Sequence, residues 1–203
     1  MSQHRPHRLS DFVADLSRLL DQTGDEAEIL REGGALLAEL VAADDWLPEA
    51  QTQPAPARYR QYLLYRDPAG RFSVVSFVWG PSQATPVHDH TVWGLVGVLR
   101  GAELSQRYAR RDGALTTVGE ARRLEPGQVE AVSPTVGDIH RVANAFDDRV
   151  SISIHVYGAD IGTVKRSTYD AEGQPKPFVS GYADVPPPLL FDRASALAYG
   201  AAE

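Results

Sequence analysis

Val150-Ser151-Ile152-Ser153-Ile154-His155-Val156-Tyr157 alternates without a break. Successive side chains of a strand point to opposite sides, so Ile152, Ile154 and Val156 share one face and Ser153, His155 and Tyr157 the other. A strict period of two in residues rich in β-branching predicts a β-strand. Taken alone, it reads as a half-exposed strand with its polar side in water. Seven runs upstream have the same character: Tyr59–Arg66, Arg71–Trp79, Val92–Leu99, Glu103–Arg110, Leu115–Leu124, Gln128–Val132 and Asp138–Val142. Turn signals separate them, among them Asp67-Pro68-Ala69-Gly70, Asp112-Gly113 and Glu125-Pro126-Gly127. Roughly eight short strands at this spacing predict an all-β core, closed as a barrel or jelly roll.

The flanks read differently. Leu9, Phe12, Val13, Leu16, Leu19 and Leu20 recur at spacings of three and four, which predicts a helix. A second helix is expected from about Glu26 to Ala43, although Gly33 and Gly34 interrupt its pattern. Pro48 to Pro56 reads as a connector. The last residues, 159–203, carry Pro175, Pro177 and Pro186-Pro187-Pro188 and read as an ordered strap with a short tail, Ala194 to Glu203. The expectation is therefore one domain over 1–203. It comprises a helical segment (1–50) packed outside a barrel (59–158), then the strap and tail (159–203).

Composition narrows the function. The net charge is −7 and the basic clusters (Arg107, Arg110, Arg111; Arg122, Arg123) are diluted by acids, so neither nucleic acid nor an anionic membrane is an expected partner. There is no cysteine, which removes disulfides, thiolate metal sites and cysteine nucleophiles. Met1 to Arg8 is polar and leads into no apolar run, so no secretory signal is expected. No run approaches the ~20 apolar residues of a membrane span. A cytoplasmic location fits these features.

Pro86-Val87-His88-Asp89-His90 contains H-x-H. In a strand, His88 and His90 would face one point with Asp89 turned away. Imidazole is the commonest metal ligand, but two histidines so placed can also be exposed strand residues. About 50 residues later, Pro134-Thr135-Val136-Gly137-Asp138-Ile139-His140-Arg141-Val142-Ala143-Asn144 turns tightly into a strand that carries a histidine. That separation leaves room for antiparallel strands that bring a third imidazole, His140, beside the first two. Asn144 reads as a turn former.

Together the two motifs, over about Tyr59 to Gly158, resemble the cupin superfamily, which implies a cupin β-barrel with the helices outside. Many cupins carry a glutamate four residues after the second histidine of H-x-H; here that position is Gly94. A three-histidine site without the carboxylate resembles the thiol dioxygenase branch, the cysteine dioxygenase family. The resemblance implies Fe(2+) on His88, His90 and His140. Ser153, His155 and Tyr157 match that family's Ser-x-His-x-Tyr run residue for residue, and the match implies a relay beside the metal. In animal members a cysteine is cross-linked to the tyrosine. This chain has none, and Gly94 stands about where it would be.

The same resemblance bears on the substrate. Animal members place an arginine in a Tyr-x-Arg context; the comparable run here is Tyr59-Arg60-Gln61, with glutamine at the position. Gln61 is similar to the bacterial 3-mercaptopropionate dioxygenase group, and Arg166 matches the arginine that group uses for the substrate carboxylate. Arg166 also reads as a surface residue in Lys165-Arg166, and Gln61 as an ordinary strand residue. The implied activity is oxidation of 3-mercaptopropionate with O2 to 3-sulfinopropionate, the partners being a small thiol carboxylate and O2. Cysteine or cysteamine on the same site is the near alternative. A cupin isomerase on another divalent metal, or a non-catalytic cupin that binds a small molecule, are the distant ones.

Overall fold

The computed structural model describes residues 7–190; residues 1–6 of the polar leader and the expected tail Ala194 to Glu203 lie outside them. Helices α1 (His7–Gln22) and α2 (Glu26–Val41) come first. Asp25 starts α2 by accepting a hydrogen bond from the Glu28 N–H at 3.1 Å, and Glu26 and Glu28 complement the positive end of the helix. The two glycines do not break α2. A β-carbon on Gly33 would stand 3.2 Å from a Leu95 methyl, so the glycine sets how closely this helix approaches the sheet.

Eleven strands follow: β1 (Arg60–Arg66), β2 (Ser73–Trp79), β3 (Val87–His88), β4 (Gly94–Arg100), β5 (Glu103–Arg111), β6 (Ala114–Leu124), β7 (Val129–Val132), β8 (His140–Asn144), β9 (Ser151–Tyr157), β10 (Arg166–Tyr169) and β11 (Pro175–Phe178). They form two antiparallel sheets of order β1-β2-β9-β4-β7 and β11-β10-β3-β8-β5-β6. This is the cupin jelly roll, with both helices outside. The β4–β5 turn depends on Gly101, whose φ of +75° an L side chain rarely adopts.

The five-stranded sheet has two buried faces. Leu16, Leu37, Leu40 and Val41 of the helices pack on Leu64, Val74, Val78, Leu95, Ile152, Ile154 and Val156. Each such side chain contributes about 1.5–3 kcal/mol when fully buried, enough to hold the helices there. The opposite face looks into the barrel, where Val75, Phe77, Trp79, Val142, Tyr157 and Ile161 cluster. The half-exposed reading that β9 has when taken alone does not hold, since all seven of its residues are buried. Its polar face points at the barrel interior, not at water. The strap also differs from its sequence reading. Two of its segments are strands that extend the second sheet, β10 pairing with β3 and β11 with β10.

Candidate metal centre and its pocket

The two histidine motifs meet across one strand pair. His88 of β3 is the register partner of His140 of β8. The strand ends at His88, so His90 is not held by sheet pairing as the H-x-H reading expected. Its ring nevertheless turns back. The ring centroids lie 4.9 Å apart for His88–His90, 4.8 Å for His88–His140 and 4.9 Å for His90–His140. All three rings are buried, and each offers a ligand nitrogen within 4.8 Å of the others.

The hydrogen bonds of these rings suit a metal ion. His88 Nδ1 donates to the Pro86 carbonyl at 3.1 Å, which leaves its other nitrogen as a lone pair. His90 Nδ1 donates to Asp138 Oδ1 at 2.9 Å, and its buried Nε2 has no partner. A buried nitrogen without a partner is costly unless something occupies it. Burial drives the His88 pKa down to about 3 and that of His140 well below its ordinary value, with repulsion from the neighbouring imidazoles adding to the effect. Both are therefore neutral and able to ligate. Three neutral nitrogens can hold a divalent metal and leave its charge uncompensated.

Asp138 is the residue the sequence reading passed over, although it stands in the quoted run two places before His140. Its Oδ1 accepts from both the backbone N–H and Nδ1 of His90, and its Oδ2 accepts from the Thr91 N–H, each at 2.9 Å. Burial works to raise its pKa, but these hydrogen bonds outweigh it and hold the carboxyl below the usual range. The bonds fix the His90 tautomer and brace Thr91, whose φ is +62°. Asp89, between the two histidines, faces away as expected. It is buried, and it accepts from the Ser167 N–H at 2.8 Å and the Tyr169 hydroxyl at 2.6 Å, tying the histidine segment to β10.

On β9, Ser153, His155 and Tyr157 form a chain. Ser153 Oγ lies 2.8 Å from His155 Nε2, and His155 Nδ1 lies 2.8 Å from the Tyr157 hydroxyl. Trp79 Nε1 donates to Ser153 Oγ at 3.1 Å, so this tryptophan buttresses the chain. Phe77 stacks on His155 with centroids 3.8 Å apart, and Tyr157 stacks on His90 at 5.4 Å. Burial pushes the Tyr157 pKa up and that of His155 well down, so both stay neutral. Asn144 is structural as expected. Its amide donates to the carbonyls of Trp79, Gly80 and Arg149, and its Oδ1 accepts from Ser151.

A cavity of about 300 Å³ opens beside the triangle and brings together His88, Gln61 and Arg166, with Tyr59, Phe77 and Phe178 among its walls. Arg166 is not a surface residue; it is only 4% exposed. Its Nη2 donates to Ser180 at 2.8 Å, its guanidinium lies 4.7 Å over the Phe178 ring, and its buried Nε has no partner. Gln61 Oε1 is likewise buried without a partner. Arg60, one place earlier, is exposed. Tyr59, whose hydroxyl pKa burial raises, carries no signal in the sequence beyond its place two residues before Gln61. Among the described residues no helix is long and apolar enough to cross a membrane.

Several solved structures are similar in fold. A double-stranded β-helix protein from Klebsiella pneumoniae is 16% identical with a TM-score of 0.44, over 56% of this chain and 89% of that one. A cupin superfamily protein from Desulfitobacterium hafniense is 15% identical with a TM-score of 0.43, over 58% and 93%. A cupin 2 domain-containing protein from Halorhodospira halophila is 18% identical with a TM-score of 0.45, over 60% and 77%. The sequence model described as cysteine dioxygenase type I matches residues 6–171, a span that holds the histidine triangle, the β9 chain, Gln61 and Arg166. The chain thus belongs to the cysteine dioxygenase type I family, thiol dioxygenases on a cupin fold.

Proposed function

We propose that the protein is an iron(II)-dependent dioxygenase of a small thiol carboxylate, 3-mercaptopropionate, which it converts with O2 to 3-sulfinopropionate. The balance is one thiol and one O2 to one sulfinate and one proton, both oxygen atoms ending on sulfur. The observation that carries the reading is the lining of the cavity that His88 shares with Arg166. Among the described residues it offers the cations Arg166 and Lys176 and no carboxylate. A substrate carboxylate finds a partner there, whereas the ammonium of cysteine or cysteamine does not.

His88, His90 and His140 would hold the iron, which when bound supplies the electrons and open positions that let O2 react with sulfur. The chain's own residues do the rest. Arg166 offers its unpartnered Nε–H to the carboxylate, and Gln61 adds a polar contact beside it. A two-carbon spacer then sets the sulfur toward the triangle. Tyr157 is positioned by His155 at 2.8 Å and stays protonated, so it can donate a hydrogen bond beside the metal. Phe77 and Phe178 keep the cavity apolar on its flanks.

Oxygen-electrode assays of iron-loaded protein on 3-mercaptopropionate, cysteine and cysteamine test this reading. The expected order places 3-mercaptopropionate first in kcat/KM. Cysteine ahead by about tenfold, a difference of ~1.4 kcal/mol, overturns the substrate assignment. Full activity with a redox-inactive metal overturns the dioxygenase reading itself.

A further inference from the structure

Glu103 opens β5 and points across the barrel at β9. It is 0% exposed, and neither carboxylate oxygen completes a hydrogen bond among the described residues. An isolated buried carboxyl is expensive, so its place here calls for a reason. The Ser153 hydroxyl and the Trp79 indole N–H face it and hold its pKa below what burial alone would give. Ser153 is the far end of the chain that ends at Tyr157. We propose that Glu103 is the terminus of this chain, and that its proton sets which way Tyr157 presents its hydroxyl to the metal pocket. The inference rests on the relay reading of Ser153, His155 and Tyr157 but not on the identity of the thiol.

The hydrogen-bond inventory allows two arrangements. With Glu103 protonated and its side chain closed onto Ser153, its O–H would donate to Ser153 Oγ, which also accepts from Trp79 at 3.1 Å. Both serine lone pairs are then used, and its hydroxyl must donate to His155 Nε2. His155 carries its proton on Nδ1, donates to the Tyr157 oxygen, and leaves the Tyr157 O–H free to point into the pocket. With Glu103 ionised, Ser153 donates to the carboxylate and accepts from His155 Nε2–H. His155 Nδ1 then accepts from Tyr157, which turns its lone pairs to the pocket. Moving each proton one step along the chain converts the first arrangement into the second. One proton passes from Tyr157 to water in the pocket, Glu103 becomes a carboxylate, and the three intermediate groups remain neutral. Every donor and acceptor of Ser153 is satisfied in both arrangements, so the chain is bistable.

The surroundings leave Glu103 as the group that decides. Burial pushes its pKa up to about 8, and Ser153 and Trp79 act against the rise. His155 and Tyr157, facing it from β9, are held neutral. Its register partners are Leu124 of β6 and Asn144 of β8, and the Asn144 amide is spent on backbone carbonyls. Further along β5, Arg107 is paired with Glu130 at 3.1 Å.

The test is ¹⁵N NMR of His155 in full-length protein carrying diamagnetic Zn(II), between about pH 6 and about pH 10. The wild type should pass from the Nδ1–H to the Nε2–H tautomer. Glu103→Gln should keep the Nδ1–H tautomer throughout, because an amide offers Ser153 an N–H that it cannot lose. If Glu103→Gln does not fold, Ser153→Ala severs the same link and should abolish the pH-dependent change. A wild-type tautomer that does not change, or one that changes equally in the variants, overturns the proposal. In the iron-loaded enzyme, kcat of the wild type should fall about tenfold per pH unit on its alkaline side, and this limb should be absent in Glu103→Gln. An unchanged limb overturns the proposal. Loss of all thiol oxidation with the tautomer change intact would instead overturn only the proposed function.

Discussion

At Gly94 a single atom matters. A β-carbon there would stand 2.9 Å from Tyr157 Cδ1 and 3.0 Å from a Val132 methyl. Tyr157 is held by His155 on one side and by stacking on His90 on the other, so it can yield only by leaving its place. Gly94→Ala should therefore cost about 1–3 kcal/mol, or roughly 2–12 °C in Tm for a chain of this size. Turnover should drop while bound metal stays the same. A Tm within ~1 °C of wild type would mean that the ring relaxes freely. The absence of a carboxylate here thus gives the family's three-nitrogen site and also gives the tyrosine its room. Asp138 poses the complementary case, a residue that adds charge behind a ligand. Asp138→Asn removes the charge and one acceptor from the three N–H groups it now serves. Metal affinity should fall by about 10–100-fold in a chelator competition titration, with the fold intact by circular dichroism. Undiminished affinity would show that His90 keeps its orientation without Asp138.

Single elements couple the two halves of the site. The H-x-H segment carries two of the three clustered histidines and β10 carries Arg166, and Asp89 joins them through Ser167 and Tyr169. Asp89→Ala leaves the Ser167 N–H without its acceptor, at a cost of about 1–3 kcal/mol. The expected outcome is a KM for the thiol carboxylate raised roughly tenfold, ~1.4 kcal/mol of binding, with metal stoichiometry near wild type. Metal lost in step with KM would show that Asp89 steadies the histidines instead. How legible each element was follows from what surrounds it. β9 was plain from its alternation and β2 from its β-branched and aromatic composition. The side that β9 shows to water was not, because the polar lumen of a barrel leaves the same period-two pattern as solvent does. β10 and β11 were missed because each has only four residues and β11 contains two prolines. Proline is tolerated there because β11 lies at the sheet edge. Gln61 and Arg166 were found through family resemblance, since only folding brings residues 105 positions apart to one cavity. Glu103 could not have been found, because after a Gly-Ala turn it reads as an ordinary exposed strand start.

The whole molecule separates what folds it from what acts. Its larger apolar cluster joins the helices to the outer face of the five-stranded sheet and contains none of the three histidines. The barrel should therefore stay folded without metal and still gain stability from it. The buried His90 Nε2, which has no partner, is a cost that the native state bears whenever the triangle is empty. A ligand that binds only the folded state at about 100 times its Kd adds about 2.7 kcal/mol, or roughly 5–11 °C in Tm. Chelation should lower Tm by that amount, leave the far-ultraviolet dichroism unchanged at 25 °C, and be reversed by added Fe(2+). Unfolding on chelation would mean instead that the histidine triangle closes the second sheet. In that case β3, with only two residues and a single register pair to β8, would be the point of failure.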